Sequence, residues 1–482
     1  MINDKKKNNS LYIICICLFF AIFIRAYNIN YDNFWFDEIL SYWITNPEIS
    51  FKESLDRHKD VEVIPFFFHF LLKISFKLSS YEPDFGRYLS LLFNVLGIIF
   101  STLLCKKIQN NSAYLLALFL FFTNIFLISY SQELRPYSLI FFLCSLNLYL
   151  FFKIQKSKKY QNFNFFYFLL IIVSQISMII SHPFNFIIFF STILYVILNF
   201  ICKKKNSKTL IYSFCFSGIF SLSYLIFFLQ NIDTFPSWIV QPDLKFYTNF
   251  YFSKFFGSRL MGIVHLVLLL TLIAYFLEKF TKENFNLNMF IIIIFLSYFL
   301  PLTYGYLLKP IIFPRYIIFV LIPIIILISI LTFQIKNKII RDSIIFLIVL
   351  LNIGNHFTET TFKQFYEERP FYKTNFEKMI YTLNQNEVKS YTIEMSTPKE
   401  MRQGIYRSIN NYISSFKDYK SSQIVYIKKE VFLKSKKNKI WLVCLPDVVI
   451  DKCNYNLLSP LYKVLDQKNL PGIKLSLIEK TK

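Results

Sequence analysis

Apolar stretches of similar length recur along the whole chain and are separated by short polar segments. Several of them hold about 17–20 residues with almost no charge, which is enough for a helix to cross a hydrocarbon layer of ~30 Å. The clearest are residues 113–130, 163–180, 184–201 and 316–333. The pattern predicts an all-α polytopic membrane protein with about eleven transmembrane helices, from a retained first helix after Leu11 to a last one near 342–354.

One apolar run, residues 65–80, is too short to span and carries charge. His69, Lys73 and Lys77 follow one another at i, i+4 and i+8, so they form a polar stripe along one side of a helix. We predict an interfacial helix that lies on the outer membrane surface within the first external loop.

The basic clusters then fix the orientation, because Lys and Arg are enriched on the cytoplasmic side of membrane proteins. With Lys5–Lys7 inside, every later cluster between spans also falls inside. These clusters lie at 106–107, 153–159, 203–208, 279–282 and 336–341. All four tryptophans, together with His58, His182 and His356, fall outside. The pattern therefore predicts a multi-pass plasma-membrane protein whose first loop and C-terminal part are extracytoplasmic.

The chain after the last span changes character. Helical stretches near 374–386 and 399–415 alternate with short apolar segments at 390–394, 423–427, 439–444 and 474–478. This alternation predicts a small α/β domain. We expect two domains, a transmembrane domain at residues 1–354 and an extracytoplasmic domain at residues 355–482. Cys444 and Cys453 are either a disulfide pair in that domain or two unrelated thiols.

Composition agrees with the membrane assignment and narrows the function classes. The 482-residue chain is 55% hydrophobic and has a formal net charge of +23. Its lysines stand in short clusters between apolar runs rather than on one helical face, so orientation explains the charge better than nucleic-acid binding does. No cysteine pair has a metal-type CxxC spacing, and the nine glycines form no phosphate loop.

The first external loop carries two adjacent carboxylates, Asp37 and Glu38, in the sequence FWFDEILS. Neighbouring helical residues point about 100° apart, so one carboxylate is expected to face a substrate while the other binds a metal ion or a backbone group. The alternative is a helix start in which Asp37 is the N-cap and Glu38 lies in the first turn, with a stabilisation of ~1 kcal/mol.

Two further external turns carry cations against the usual inside bias. In SQELRPYS, Glu133 and Arg135 lie between two long spans, and a guanidinium at this level suits a phosphate, although an interface-anchoring arginine paired with Glu133 is an equal alternative. In KPIIFPRYIIF, Lys309 and Arg315 flank a proline-containing turn. Their expected ligand is an anion such as a lipid phosphate.

These motifs, in this order, resemble the bacterial glycosyltransferase family 39 group, which includes protein O-mannosyltransferase-like and aminoarabinose-transferase-like enzymes of the GT-C fold. The resemblance covers roughly residues 10–335, and SQELRPY is its most specific part. It implies that Asp37 is the catalytic carboxylate, with Glu38 beside it. It also implies that Arg135 and Arg315 hold the phosphate of an undecaprenyl- or similar polyprenyl-phosphate sugar.

The expected function is therefore transfer of a sugar from this lipid donor to a glycan, lipid or protein acceptor outside the cell. Lys309 is a further candidate for the donor phosphate, and Glu133, Tyr137 and the helix-end His182 are candidates for substrate binding. No cofactor is indicated, and participation of a divalent metal ion is left open. The alternatives are a transporter or flippase of lipid-linked glycans and a polymerase that uses the same donor type.

Overall fold

The computed structural model of the chain describes a mainly helical protein. The described residues are 2–30, 33–62, 64–109, 112–156, 162–202, 204–230, 239–277, 285–358, 374–385, 391–394, 402–416, 439–444 and 462–481. Their α-helices are α1 (Ile2–Ala26), α2 (Phe36–Ile44), α3 (Phe51–Val61), α4 (Phe67–Leu78), α5 (Pro83–Ile108), α6 (Ala113–Thr123), α7 (Ile125–Ser131), α8 (Tyr137–Gln155), α9 (Phe165–Ser181), α10 (Phe186–Ile201), α11 (Lys208–Gln230), α12 (Leu244–Asn249), α13 (Phe252–Phe255), α14 (Arg259–Tyr275), α15 (Phe285–Leu307), α16 (Leu321–Gln334), α17 (Lys338–His356), α18 (Phe376–Asn384) and α19 (Arg402–Ile413). Short 3-10 helices at Pro183–Asn185 and Pro314–Val320 lead into α10 and α16.

The chain forms two compact units. The first, here the helical unit, comprises Met1–Tyr27, Val63–Phe68 and Ser90–Phe362. The second, here the loop unit, comprises Asn28–Glu62, His69–Leu89 and Lys363–Lys482. The loop unit thus contains most of the loop predicted to be the first external one, as well as the C-terminal part. The simple division into residues 1–354 and 355–482 stays a prediction.

The predicted polytopic fold class is confirmed. Among the described residues, seven helices are long and apolar enough to span a membrane, and the bent pair α6 and α7 forms an eighth. Three shorter apolar helices, Ile14–Ala26, Phe165–Ser181 and Arg259–Tyr275, lie where further spans were predicted, and the total of eleven stays a prediction. The chain is therefore a multi-pass membrane protein.

Helix α16 forms the centre of the helical unit. Its sequence LIPIIILISILTFQ has apolar residues on every side, which is typical of a helix with neighbours all round. It packs against α6, α14, α15 and α17, and its residues from Leu321 to Thr332 are buried. This rigid centre fixes the direction of the 3-10 turn that precedes it.

The span built from α6 and α7 bends by 55° at Asn124. The bend frees the carbonyl groups of residues 121–123 from helical partners, and a free carbonyl group in an apolar environment is costly. The buried guanidinium of Arg25 donates to the first two at 3.1 and 2.9 Å, and His356 Nε2 donates to the third at 2.8 Å. Asn124 then starts α7 by accepting from the N–H group of Leu127 at 3.0 Å. The bend is thus stabilised by specific hydrogen bonds from other parts of the helical unit.

The loop unit combines α2–α4, α18 and α19 with a four-stranded sheet of order β1-β2-β4-β3. Its strands are β1 (Tyr391–Glu394), β2 (Lys439–Cys444), β3 (Tyr462–Leu470) and β4 (Ile473–Lys480). Only the β1–β2 pair is parallel. The predicted α/β character is confirmed, whereas the predicted segment 423–427 lies outside the described residues. Strand β3 was missed because its side chains are mostly exposed and a bulge between Val464 and Asp466 interrupts the alternation.

Helix α4 exists as predicted, but its polar stripe does not face the surroundings as expected. His69 and Lys73 are fully buried, and only Lys77 is exposed. Lys73 Nζ donates to the carbonyl oxygen of Asn46, and His69 Nε2 lies 3.3 Å from Ser41 Oγ. The buried part of the polar stripe therefore has partners within the loop unit, because α2 and the segment after it supply polar groups that the helical periodicity alone cannot reveal.

Candidate functional site

The turn between α7 and α8 holds Glu133 and Arg135 of the SQELRPY motif. Gln132 begins the turn, and its Nε2 donates to the carbonyl oxygens of Arg25 and Tyr27 at 3.0 and 3.1 Å. The N–H group of Arg135 then donates to the carbonyl oxygen of Glu133 at 2.8 Å. Pro136 follows and starts α8, so the backbone of this turn is fixed at both ends and Arg135 is buried.

Arg315 is positioned by the 3-10 turn that begins with Pro314. Its guanidinium carbon lies 5.4 Å from the ring centre of Tyr137, 5.0 Å from that of Phe313 and 5.7 Å from that of Tyr316. Aromatic faces attract a guanidinium group and exclude water around it. The three aromatic rings therefore hold the charged guanidinium group of Arg315 in position near the ends of the spans.

His182 joins this group from the end of α9. Its extended backbone ends α9, and its Nδ1 accepts from the N–H group of Phe184 at 3.2 Å. The ring lies 5.1 Å from that of Tyr316. Burial, then the charges of Arg135 and Arg315, lower the pKa of His182 to about 3. The imidazole is therefore neutral at physiological pH, and with Nδ1 as the acceptor it carries its proton on Nε2.

The structure thus brings together four of the predicted residues, Arg135, Tyr137, His182 and Arg315, within the helical unit. We call this set the cation cluster. Tyr130 borders it, with its ring 5.1 Å from that of Tyr137. No role was predicted for Phe313 and Tyr316, the other aromatic residues beside Arg315, although their position directly next to this cation in the sequence was a usable signal. Two arginines and a neutral N–H donor among aromatic rings form an arrangement suited to an anion.

Lys309 and Glu133 were predicted to take part in binding. Lys309 lies before the Pro314 turn and is half-buried, and Glu133 is half-buried in the turn that contains Arg135. Their roles as phosphate and substrate ligands stay predictions.

Asp37 and Glu38 lie in the first turn of α2, in the loop unit. Trp35, not Asp37, is the N-cap, so the alternative of Asp37 as a capping residue is wrong. Asp37 is half-buried, and its carbonyl oxygen accepts from Ser41 Oγ at 3.1 Å. Negative charge in a first turn is favourable because it faces the positive end of the helix dipole.

Glu38 is completely buried and pairs with Arg87, at the start of α5. Arg87 Nε donates to Oε1 at 2.9 Å and Nη2 donates to Oε2 at 3.0 Å, while Oε2 also accepts from the N–H group of Trp35 at 3.3 Å. Glu38 thus contacts a backbone group, which is one of the two partners expected for the second carboxylate. Its catalytic role stays a prediction.

Arg87 was not singled out from the sequence, although an arginine in the first turn of a predicted span is unusual. Besides Glu38, it donates to the carbonyl oxygen of Ile29 at 2.9 Å. The ion pair therefore ties the chain before α2 to the start of α5. Among the described residues, no three His, Cys, Asp or Glu side chains are grouped closely enough to hold a metal ion.

No family model and no curated protein matches the sequence. Solved structures do match. ArnT from Cupriavidus metallidurans in the apo state is 10% identical, with a TM-score of 0.59 over 98% of both chains. ArnT bound to undecaprenyl phosphate is 9% identical, with a TM-score of 0.56 over 98% of both chains. The archaeal oligosaccharyltransferase AglB from Archaeoglobus fulgidus, in complex with an inhibitory peptide and a dolichol-phosphate, is 12% identical, with a TM-score of 0.51 over 88% of this chain and 62% of that chain.

These likenesses establish the fold of the chain. The GT-C fold expected from the motifs is thereby confirmed. The agreement over nearly the full length of ArnT includes the C-terminal part, which the motifs did not cover.

Proposed function

We propose that the chain is a membrane glycosyltransferase that moves a sugar from a polyprenyl-phosphate donor to an extracytoplasmic acceptor. The observation that carries this proposal is the cation cluster, in which Arg135 and Arg315 lie close enough to lower the pKa of His182. Two guanidinium groups that both act on the same side chain create a region of positive potential, which attracts an anion. A phosphate is the anion whose geometry best suits two such groups.

The fold supports the same ligand class. ArnT has been seen with undecaprenyl phosphate and AglB with a dolichol-phosphate, both of which are polyprenyl phosphates. A donor delivered from the bilayer also explains how a chain without a glycine-rich phosphate loop would bind an activated sugar. We therefore place the phosphate of the donor at the cation cluster.

In the proposed reaction, an acceptor hydroxyl oxygen forms a bond to the anomeric carbon of the sugar, while the bond between that carbon and the phosphate oxygen breaks. Polyprenyl phosphate departs with the electron pair, and Asp37 takes the proton of the acceptor hydroxyl. Arg135 and Arg315 stabilise the charge that develops on the departing phosphate, and the neutral His182 donates from Nε2. In this proposal Glu38 positions Asp37, Lys309 adds to binding of the donor phosphate, and Glu133 and Tyr137 bind substrate.

The basic clusters support an orientation in which this chemistry takes place outside the plasma membrane. The reaction as written needs no cofactor, because the phosphate ester is already activated. A divalent ion would act only by assisting Asp37 or the phosphate, and assays with and without chelator test that role.

The decisive experiment supplies purified protein in lipid nanodiscs with radiolabelled polyprenyl-phosphate sugars and a panel of envelope glycans, lipids and proteins as acceptors. We expect label to leave the lipid and to appear on one acceptor class. A growing labelled chain would identify a polymerase. Label that changes leaflet but stays on the lipid would identify a flippase and overturn the proposal.

A further inference from the structure

Helix α19, near the C-terminal end of the chain, packs against α2, which carries Asp37, within the loop unit. Tyr412 on α19 is only 3% exposed. Its Oη accepts from the N–H group of Phe34 at 2.9 Å and donates to Asn33 Oδ1 at 3.4 Å. The rings of Tyr412 and Phe34 are stacked, with centres 5.1 Å apart and planes inclined by 15°.

This contact continues to the ion pair beside Asp37. The ring of Phe34 faces the guanidinium of Arg87 at 4.9 Å, and Arg87 holds both oxygens of Glu38. Tyr412 therefore supports, through Phe34 and Arg87, the residue next to Asp37. Burial raises the pKa of Tyr412 above its ordinary value, so the phenol keeps the proton that it donates.

A second contact holds the other end of α2. Asn411 Nδ2 donates to Tyr81 Oη at 2.8 Å, and Tyr81 stacks on Tyr42 of α2 with ring centres 4.2 Å apart. The two tyrosines also exchange hydrogen bonds, because each Oη donates to the carbonyl oxygen of the other, at 3.0 and 2.9 Å. Consecutive residues of α19 thus act on both ends of α2.

Gly404 lets α19 approach closely. A Cβ atom at this position would lie 2.7 Å from Val61 Cγ1 and 3.7 Å from the ring of Trp43. A larger residue therefore requires either a shift of the Val61 side chain or a displacement of α19 from α3.

We propose that Tyr412 is a positioning residue for the transfer reaction, and that α19 clamps α2 so that Asp37 is held in its reactive orientation. This inference rests on the proposed function, and it makes the C-terminal part of the chain a component of the active site. A single hydroxyl contributes too little to unfold the protein when it is removed. Its loss instead leaves the Phe34 N–H group buried without its acceptor, and the effect stays local.

The test compares Tyr412→Phe with Tyr381→Phe, a control on α18 whose side chain is 62% exposed. Hydrogen exchange followed by mass spectrometry reports the Phe34 amide without reference to activity. We expect this amide to exchange at least about 10-fold faster in Tyr412→Phe and unchanged in the control. An unchanged exchange rate in Tyr412→Phe overturns the clamp.

Kinetics complete the test. We expect kcat of Tyr412→Phe to fall about 10-fold while KM for the lipid donor stays within about twofold, since the donor phosphate is bound by other residues. Gly404→Ala should lower kcat in the same way. Gly218→Ala, with nothing within 4 Å of the added Cβ, should leave kcat and KM unchanged. Faster exchange with normal kcat overturns the positioning role. Absence of transfer in the wild-type protein refutes the proposed function, and the exchange result then still decides whether the clamp exists.

Discussion

The protonation of His182 depends strongly on its place in the cation cluster. Burial and two arginines lower its pKa from 6.5 to about 3, so the folded protein keeps this ring neutral where an unfolded chain would protonate it. A neutral ring donates one hydrogen bond from Nε2 and adds no charge to the site. His182 is therefore suited to donating to a phosphate and unsuited to acting as a general acid near neutral pH.

A pH prediction follows for His182. Between pH 6.5 and about 3 the unfolded chain binds one more proton at this residue than the folded chain does, so stability falls as pH drops through that range. We expect His182→Gln to reduce this loss, as measured by thermal unfolding in detergent from pH 7 to 4. An unchanged pH dependence would show that His182 is accessible to protons in the folded state.

For Asp37 we predict that substitution by Asn abolishes transfer and leaves folding and membrane insertion intact. The change preserves shape and removes only the charge and basicity needed to take the acceptor proton. The measurement is label transfer per folded molecule, with yield and thermal stability as controls. Activity close to that of the wild type would remove Asp37 from the proposed role.

For Arg135 we predict weaker binding of the lipid phosphate. Loss of a charged hydrogen-bonding partner costs at least about 2 kcal/mol, which is roughly a 30-fold rise in Kd for polyprenyl phosphate. Arg315→Ala should act in the same direction. Arg341→Ala is the matched control, because Arg341 pairs with Asp342 in the predicted cytoplasmic cluster. Normal donor binding with reduced expression would instead identify both arginines of the cation cluster as interface anchors.

At the scale of elements, the bent span of α6 and α7 links the first helix to the cation cluster. Arg25 closes the bend through the carbonyl groups of residues 121 and 122, and Asn94 Oδ1 accepts from its Nε at 2.8 Å. The carbonyl oxygen of Arg25 accepts in turn from Gln132, three residues before Arg135. The helix break and the turn that holds Arg135 therefore share one hydrogen-bond network.

We predict that Arg25→Met lowers thermal stability by several degrees and also weakens binding of polyprenyl phosphate. The substitution leaves buried carbonyl groups without donors, at a cost of about 1–3 kcal/mol for each. Arg259→Met is the control, since Arg259 is exposed at the start of α14. Stability equal to that of the wild type would mean that water or neighbouring groups replace the guanidinium.

Apolar periodicity was sufficient to predict the spans, because a helix in lipid must be long and apolar whatever its neighbours are. It was not sufficient for features that depend on partners. The bend at Asn124 carries no proline or glycine, and Arg25 and His356, which donate to its free carbonyl groups, are far away in the sequence. The polar partners of His69 and Lys73 likewise lie in α2 and in the segment that follows it. The bent span and α4 were therefore located correctly in the sequence, whereas the bend and the burial of the polar side chains were not predicted.

For the whole molecule, the same difference between local sequence patterns and distant partners decides which residues of the candidate site were predictable. Arg135, Arg315 and His182 stand at helix ends against the charge bias, so each was visible as a local anomaly. Arg87 and Tyr412 act through pairs separated by 49 and 378 residues, and no local pattern marks them. Residues proposed to bind a ligand were thus easier to find than residues that contact distant parts of the chain.

The cysteines of the C-terminal part provide a prediction on this scale. Cys444 is disulfide-bonded, and Cys453 lies outside the described residues, so the predicted pair stays a prediction. Closing so short a loop contributes ~2 to 3 kcal/mol. We expect Cys444→Ser to lower stability by that amount, and peptide mapping without reductant to recover the linked 444–453 pair. Labelling of both thiols in intact cells would contradict the pair.

The long separation between Phe34 and Tyr412 also has a consequence during protein synthesis. At about 5–20 residues per second, a ribosome supplies Arg87 within ~10 s of Glu38, whereas Tyr412 follows Phe34 only after ~20 to 75 s. The ion pair beside Asp37 is thus available early, and the clamp is added only after Tyr412 has been synthesised. A nascent chain that ends before α19 would already contain the residues proposed to bind the lipid phosphate but would lack an ordered Asp37. Under the proposed clamp, synthesis of α19 therefore switches the enzyme on.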